Sequence, residues 1–238
     1  MSFQSVSLPQ SSEISLSTGE IHIWQVELDV EDKPCQPLWG MLDGLEQQRA
    51  LRFRDEKIQK KYIWCHGLRR ILLSRYLDLE PQEIRYFIGP FGKPHLDLPS
   101  ELHFNMSHTD TLAIFAITSF QSIGIDVERL LSIEEIESLE CWFLSKEEKL
   151  QLASLPHMER LEAFYTYWVS KEAYLKMLGL GLDDRLDTYN MIPHLAGEQA
   201  DWGLDIYYPI SGYIAALAAS GPVRQVLGLK CVASQFLF

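Results

Sequence analysis

The chain has 238 residues, 47% of them hydrophobic, and a formal charge of −12. That apolar content can fill a core of its own, and the net negative charge argues against a general nucleic-acid binder, whose surface must displace cations from phosphates. Cys35, Cys65, Cys141 and Cys231 stand far apart with no paired spacing, so neither a zinc finger nor a disulfide framework is expected and a reducing, cytoplasmic setting fits.

The N-terminus has no basic stretch leading into an apolar one. The longest apolar runs, Leu112 to Ile117 and Tyr213 to Ala219, are too short to span a bilayer. A soluble monomer with neither a membrane nor a nucleic-acid partner is the expectation. The negative charge is unevenly spread, since nine of the 21 Lys and Arg residues fall between Arg49 and Arg75. A local basic zone in an acidic protein points to a small polyanionic ligand, although a solvated helix face would look the same.

In chain order, Ile21 to Val30 alternates as a strand does. Lys57 to Leu77 has apolar residues at 58, 62, 65, 68 and 72, the spacing of a long amphipathic helix. Glu83 to Ile88 reads as a strand, and Gly89 to Pro94 as a turn with two glycines and two prolines. Leu112 to Thr118 and Ile123 to Glu128 read as further strands. Ser145 with Glu148 three places on predicts a capping box opening a helix to Leu155. Leu161 to Leu178 is a second long helix stopped by Gly179 and Gly181, and Asp205 to Tyr208 and Tyr213 to Ala219 pair across Pro209 to Gly212. The segments 111–118 and 212–219 echo one another, each following a long helix. This hints at two similar α+β halves, residues 1–120 and 121–238.

Period-2 geometry in the strand from Ile123 to Glu128 puts Gly124, Asp126 and Glu128 on one face and Ile123, Ile125 and Val127 on the other. Two carboxylates on one face raise each other's pKa unless a cation lies between them, and a hard ion such as Mg²⁺ resolves the conflict; carboxylates in water on an edge strand are the bland alternative. In the second helix the apolar stripe of Leu161, Phe164, Trp168, Leu175 and Leu178 is interrupted by Glu172. A carboxylate at a buried position needs a partner, either a metal or Lys176 four residues on.

Phe104-Asn105-Met106-Ser107-His108 offers a hydroxyl beside an imidazole. A Ser107/His108 hydrolase using Asp126 is one reading. Adjacent residues of an extended segment point opposite ways, however, and no Gly-x-Ser-x-Gly elbow is present, so phosphate contacts suit both side chains better. Phe91-Gly92-Lys93-Pro94 adds a glycine that lets backbone approach closely and a lysine on a rigid turn.

Together, Gly92-Lys93-Pro94, Phe104 to His108, Gly124 to Glu128, and Trp168, Lys171, Glu172, Ala173 and Lys176 resemble the motifs of the Sfp-type 4′-phosphopantetheinyl transferase family, in order and spacing, from about Arg49 to Gly181. The resemblance implies an α+β fold of two similar α/β halves related by a pseudo-twofold, with coenzyme A in the cleft between them. The first half would contact the adenine and phosphate end, and the second would carry the metal site and catalytic helix. It implies Asp126, Glu128 and Glu172 as ligands of Mg²⁺, with Mn²⁺ as a substitute. Lys93, Pro94, Ser107, His108, Asp126 and Lys176 would contact coenzyme A, and Arg49 and Lys61 its 3′-phosphate and adenine end; the family commonly carries Arg at the position of Lys61.

The implied reaction has a serine of an apo acyl or peptidyl carrier protein attack the β-phosphate of coenzyme A, releasing 3′,5′-ADP. Glu172 or a metal-bound water is the first candidate for general base and Glu148 the second, and Lys176 would neutralise the leaving phosphate. A non-catalytic protein that binds coenzyme A or a carrier is the alternative. Which carrier and pathway are involved is not legible in the sequence.

Overall fold

The computed structural model describes residues 3–6, 14–119, 121–131, 142–181, 185–198, 201–221, 223 and 225–236, so Cys141 lies outside the described residues. Three adjacent strands of one sheet come from the two ends of the chain: β1 (Phe3–Ser5), β2 (Glu20–Glu27) and β10 (Gln225–Val232). With β5 (His103–His108) and β6 (Leu112–Thr118) they give a five-stranded sheet in the order β1-β10-β2-β6-β5. β10 runs parallel to both β1 and β2, while β2, β6 and β5 are antiparallel neighbours. A second, antiparallel sheet has the order β7-β9-β8, from β7 (Ile123–Arg129), β9 (Tyr213–Ser220) and β8 (Trp202–Tyr207). A short hairpin joins β3 (Tyr86–Ile88) and β4 (Pro94–Leu96).

Side-chain alternation explains how the sheets stack. In β6, Ala113, Phe115 and Ile117 face the core under the long helix α3 (Glu56–Leu77), whereas Leu112, Ile114 and Ala116 face the other sheet. In β9, Tyr213, Ala215, Leu217 and Ala219 meet that same middle core. Its opposite face, Ile214, Ala216 and Ala218, lies under the second long helix, α5 (His157–Leu178). The result is helix, sheet, sheet, helix, with three apolar cores between four layers. The alanines of β9 have a purpose in this arrangement, because small side chains let α5 lie close to its sheet.

Helix boundaries follow local chemistry. Two short helices, α1 (Gln36–Trp39) and α2 (Gly44–Ala50), precede α3. Asp43 and Glu46 form a capping box at α2, and Asp55 accepts from Lys57 N and Ile58 N at the start of α3. The expected Ser145 and Glu148 capping box opens α4 (Lys146–Ser154). Helix α5 ends at Gly179, whose φ of 72° is the left-handed conformation that glycine adopts freely. A last short helix, α6 (Ile192–Leu195), precedes β8.

Several expectations change. The strand expected over 83–88 is a 3₁₀ turn at Pro81–Glu83 and a strand only from Tyr86, and Pro94 opens β4 instead of closing a turn. Phe104 to His108 is a strand in its own right. The division at residue 120 is crossed by the chain, because β10 returns to the first sheet and lies parallel to β2. Leu229, Cys231, Ala233 and Phe236 thus belong to the core under α3. Among the described residues the cysteines Cys35, Cys65 and Cys231 are free, and no helix is long and apolar enough to cross a membrane.

Candidate functional site

The site lies where β5, the edge of the first sheet, runs beside β7, the edge of the second, with the last turns of α5 above them. β7 presents Gly124, Asp126 and Glu128 towards α5 while Ile123, Ile125 and Val127 enter the middle core, the alternation expected from the sequence. Gly124 is required for this approach. A Cβ there would fall inside the van der Waals envelope of Ala173 O and Met177 N, both in the backbone of α5. Without it the helix could not bring Glu172 and Lys176 to the two carboxylates of β7.

Asp126 is the hub. Its Oδ1 accepts from Ser107 Oγ at 2.8 Å and from Lys176 Nζ at 2.5 Å, and Lys176 also reaches Ser107 Oγ at 3.4 Å. Its Oδ2 is buried and has no hydrogen-bond partner among the described residues. Glu172 stands 3.9 Å from Lys176 Nζ, a loose contact compared with that of Asp126. Glu128 Oε1 accepts from the indole Nε1 of Trp168 at 3.1 Å, so a residue that reads as plain apolar stripe also holds a carboxylate in place.

Electrostatics follow from this crowding. Burial, then the charges of Asp126 and Glu128, push Glu172 up to about 7 against the opposing pull of Lys176. Glu128 is raised for the same reasons, burial first and Asp126 second. Burial alone would depress Lys176, but the carboxylates of Asp126 and Glu172 outweigh it and hold the ammonium above the ordinary lysine value.

These features fit a divalent cation. The donors are hard oxygens, one of them buried and without a hydrogen-bond partner among the described residues, and burial with mutual repulsion raises two of the carboxyls, which a cation would relieve. Among the described residues no three such groups already stand in the arrangement of a closed metal site. Side-chain rotation of Glu128 and Glu172 would have to complete it, with Lys176 giving up part of its hold on Asp126.

The remaining expected residues divide. His108 ends β5 with part of its surface exposed, and its imidazole is depressed first by desolvation and then by the Lys61 and Lys176 ammonium groups. Lys61 pairs with Asp110. Arg49 is exposed on the last turn of α2, close enough for its charge to act on Tyr62. Tyr62 in turn stacks on His66 with ring centroids 3.8 Å apart. Ser107 and His108 share no hydrogen bond among the described contacts, since Ser107 turns to Asp126, which removes the geometry a hydrolase dyad needs.

Lys93 and Glu148 are placed otherwise than the sequence suggested. The Lys93 ammonium donates to Lys176 O at 2.5 Å, Ile123 O at 3.0 Å and Met177 O at 3.4 Å, and burial lowers it to about 8. It caps the C-terminal end of α5, where a cation meets unsatisfied carbonyls. Pro94, next to it, is half-buried at the start of β4. Glu148 is corrected as a candidate base. It is fully buried, paired with Lys171 at 2.6 Å and bonded by Ser145 N and Met191 N, so every approach to its carboxylate is taken by the protein itself.

Asn105 was not singled out by the sequence reading. Its Oδ1 accepts from Ile125 N at 2.8 Å, joining the two sheet edges. A polar residue at a buried position of a strand was the available signal.

Residues 122–201 match the 4′-phosphopantetheinyl transferase superfamily model. The matched segment includes Asp126, Glu128, Glu172 and Lys176, whereas Arg49, Lys61, Lys93, Ser107 and His108 precede it. The 4′-phosphopantetheinyl transferase HetI of Nostoc sp. is 35% identical over 153 residues, covering 63% of this chain and 64% of that protein. The 4′-phosphopantetheinyl transferase Sfp of Bacillus subtilis is 34% identical over 85 residues, 35% of this chain and 37% of its own length. The transferase gsp of Aneurinibacillus migulanus is 30% identical over 116 residues, 46% and 48% respectively. The chain thus spans less than two thirds of each of these relatives.

Proposed function

We propose that this protein is an Sfp-type 4′-phosphopantetheinyl transferase, moving the 4′-phosphopantetheine group from coenzyme A to a serine of an apo acyl or peptidyl carrier protein with Mg²⁺. The carrying observation is Asp126. One carboxylate oxygen is held by Ser107 and Lys176 while the other is buried and without a hydrogen-bond partner among the described residues, on a strand that α5 can approach only because residue 124 is glycine.

Asp126, Glu128 and Glu172 would hold the ion, which when bound supplies electrostatic stabilisation to the pyrophosphate oxygens. Lys176 and Ser107, which both bond to Asp126, would hold phosphate oxygens together with His108, with Arg49 and Lys61 at the 3′-phosphate and adenine end. The carrier serine oxygen bonds to the β-phosphorus, the bond from that phosphorus to the bridging oxygen breaks, and 3′,5′-ADP leaves. Glu172, whose carboxyl is raised by burial and by Asp126 and Glu128 before an ion binds, is the proposed acceptor of the serine proton. Lys176 neutralises the leaving phosphate. A pseudo-twofold pair of halves enclosing the cofactor, a monomeric state and a cytoplasmic setting complete the reading.

The decisive assay mixes the protein with coenzyme A, Mg²⁺ and a panel of apo carrier proteins and follows carrier mass. A gain of one phosphopantetheine group is expected. Its absence across the panel, with coenzyme A still bound, would leave the non-catalytic binding reading.

A further inference from the structure

We infer that Asn105 is the positioning residue that sets β7, and hence Asp126, in register with β5. The two strands belong to different sheets, so no backbone ladder joins them; β5 pairs with β6 on its other side and β7 with β9. The connection is made by side chains. Asn105 and Ser107, two apart on β5 and therefore on one face, bond to consecutive residues of β7: Asn105 Oδ1 to Ile125 N and Ser107 Oγ to Asp126 Oδ1. The alternate positions, Phe104 and Met106, point the other way, into the core under α3.

Asn105 is buried and satisfies an amide that the edge of β7 would otherwise leave bare. Ser107 alone cannot fix the strand, because its hydroxyl rotates and its partner is a side chain with its own torsions. The Asn105 bond ends on backbone. It fixes how far β7 is advanced along β5, and that setting decides whether Asp126 Oδ1 falls between Ser107 and Lys176. Asn105 touches no reacting atom in this scheme and acts through Asp126.

The inference rests on the transferase reading for its metal readout but not for its structural one. In the whole protein, Asn105→Ala should speed hydrogen exchange at the Ile125 amide by at least about tenfold. It should also weaken binding of Mn²⁺, used alone as a paramagnetic probe, about tenfold, and raise the Mg²⁺ needed for half-maximal transfer by a similar factor. Asn105→Asp, which keeps an acceptor at the same place, should leave the Ile125 amide protected. If Asn105→Ala does not fold, a folded Asn105→Asp with a protected Ile125 amide supports the brace, and an exposed amide in Asn105→Asp overturns it. Wild-type Mn²⁺ affinity in a folded Asn105→Ala also overturns it. Failure of the wild-type protein to bind Mn²⁺ or to modify any carrier breaks the transferase reading instead, while the exchange data still report on the brace.

Discussion

Gly124 and Ala173 are in backbone contact: the Cα of the strand residue sits against the carbonyl of the helix residue, with no room for a methyl group between them. Gly124→Ala must therefore displace α5 or twist β7. Overpacking a core costs roughly 1–3 kcal/mol, and here the obstacle is backbone that cannot rotate away. The expected result is a loss of about 3 kcal/mol or more, read by denaturant unfolding, together with near-complete loss of transfer in whatever folded protein remains. A fully stable Gly124→Ala protein would mean that α5 packs further from β7 than described.

Glu172→Gln separates a metal ligand from a salt-bridge partner. The carboxyl is pushed up to about 7 by burial and by its acidic neighbours, so removing its charge should leave the melting temperature without Mg²⁺ unchanged or higher. Turnover should drop by more than about 100-fold and Mg²⁺ should no longer raise the melting temperature. A destabilised but active protein would identify Glu172 as a partner of Lys176 alone, a pair at 3.9 Å worth at most about 1 kcal/mol.

Lys93→Met keeps the length of the side chain and removes its charge. Three carbonyl oxygens at the end of α5 and start of β7 would lose their donor. A fall of about 1–3 kcal/mol in stability of the ligand-free protein is expected, from the unmade bonds and the lost helix-end interaction. If Lys93 serves only as a phosphate clamp, stability should hold and the Michaelis constant for coenzyme A should rise instead.

The buried pair of Lys171 and Glu148 gives a test of the correction to Glu148. Both side chains are fully enclosed, and Lys171 Nζ also donates to Phe143 O and Leu186 O. Lys171→Met strands a buried carboxylate and should cost about 3–5 kcal/mol, with part recovered in the double variant Lys171→Met, Glu148→Leu. Glu148→Gln should lower stability while leaving turnover per folded molecule within about threefold of wild type. A specific collapse of turnover would restore Glu148 as a base.

Acid should unfold the protein through the cluster beneath α2. Burial would raise Glu46, but hydrogen bonding to His66 and the charges of Arg69 and Arg70 bring it down to about 2, and His66 is lowered to about 4, mainly by burial and then by Arg69. Both groups bind protons less readily when folded. Their stabilisation is therefore complete above about pH 6.5 and declines as the pH falls, first as His66 in the unfolded chain takes up protons and again below about 4.5 as Glu46 does. Denaturant midpoints between pH 8 and pH 3 should show this decline, and it should be shallower in His66→Gln above pH 4.5. A flat profile over the whole range would contradict the assignment.

Much of the site was legible without coordinates, and the reason is periodicity. Alternation in a strand puts Asp126 and Glu128 on one face whatever the fold around them, and a break in a helical stripe marks Glu172. Capping chemistry likewise fixed the start of α4 from Ser145 and Glu148 alone. These are local rules, and they hold because a strand or helix has the same geometry wherever it lies.

Tertiary structure decided what the local rules leave open, which is where each side chain's partner comes from. Whether Glu148 faces the cleft or the core depends on Lys171 and on the amide of Met191, 43 residues further on. Whether Lys93 meets a phosphate or a helix end depends on α5, 83 residues away. β10 joins the first sheet rather than the half it follows, because its apolar residues complete the core under α3. Asn105 gains its meaning only from the edge of a sheet to which it does not belong. Burial and long-range pairing are properties of the packed molecule, so a sequence can nominate these side chains but the fold assigns them.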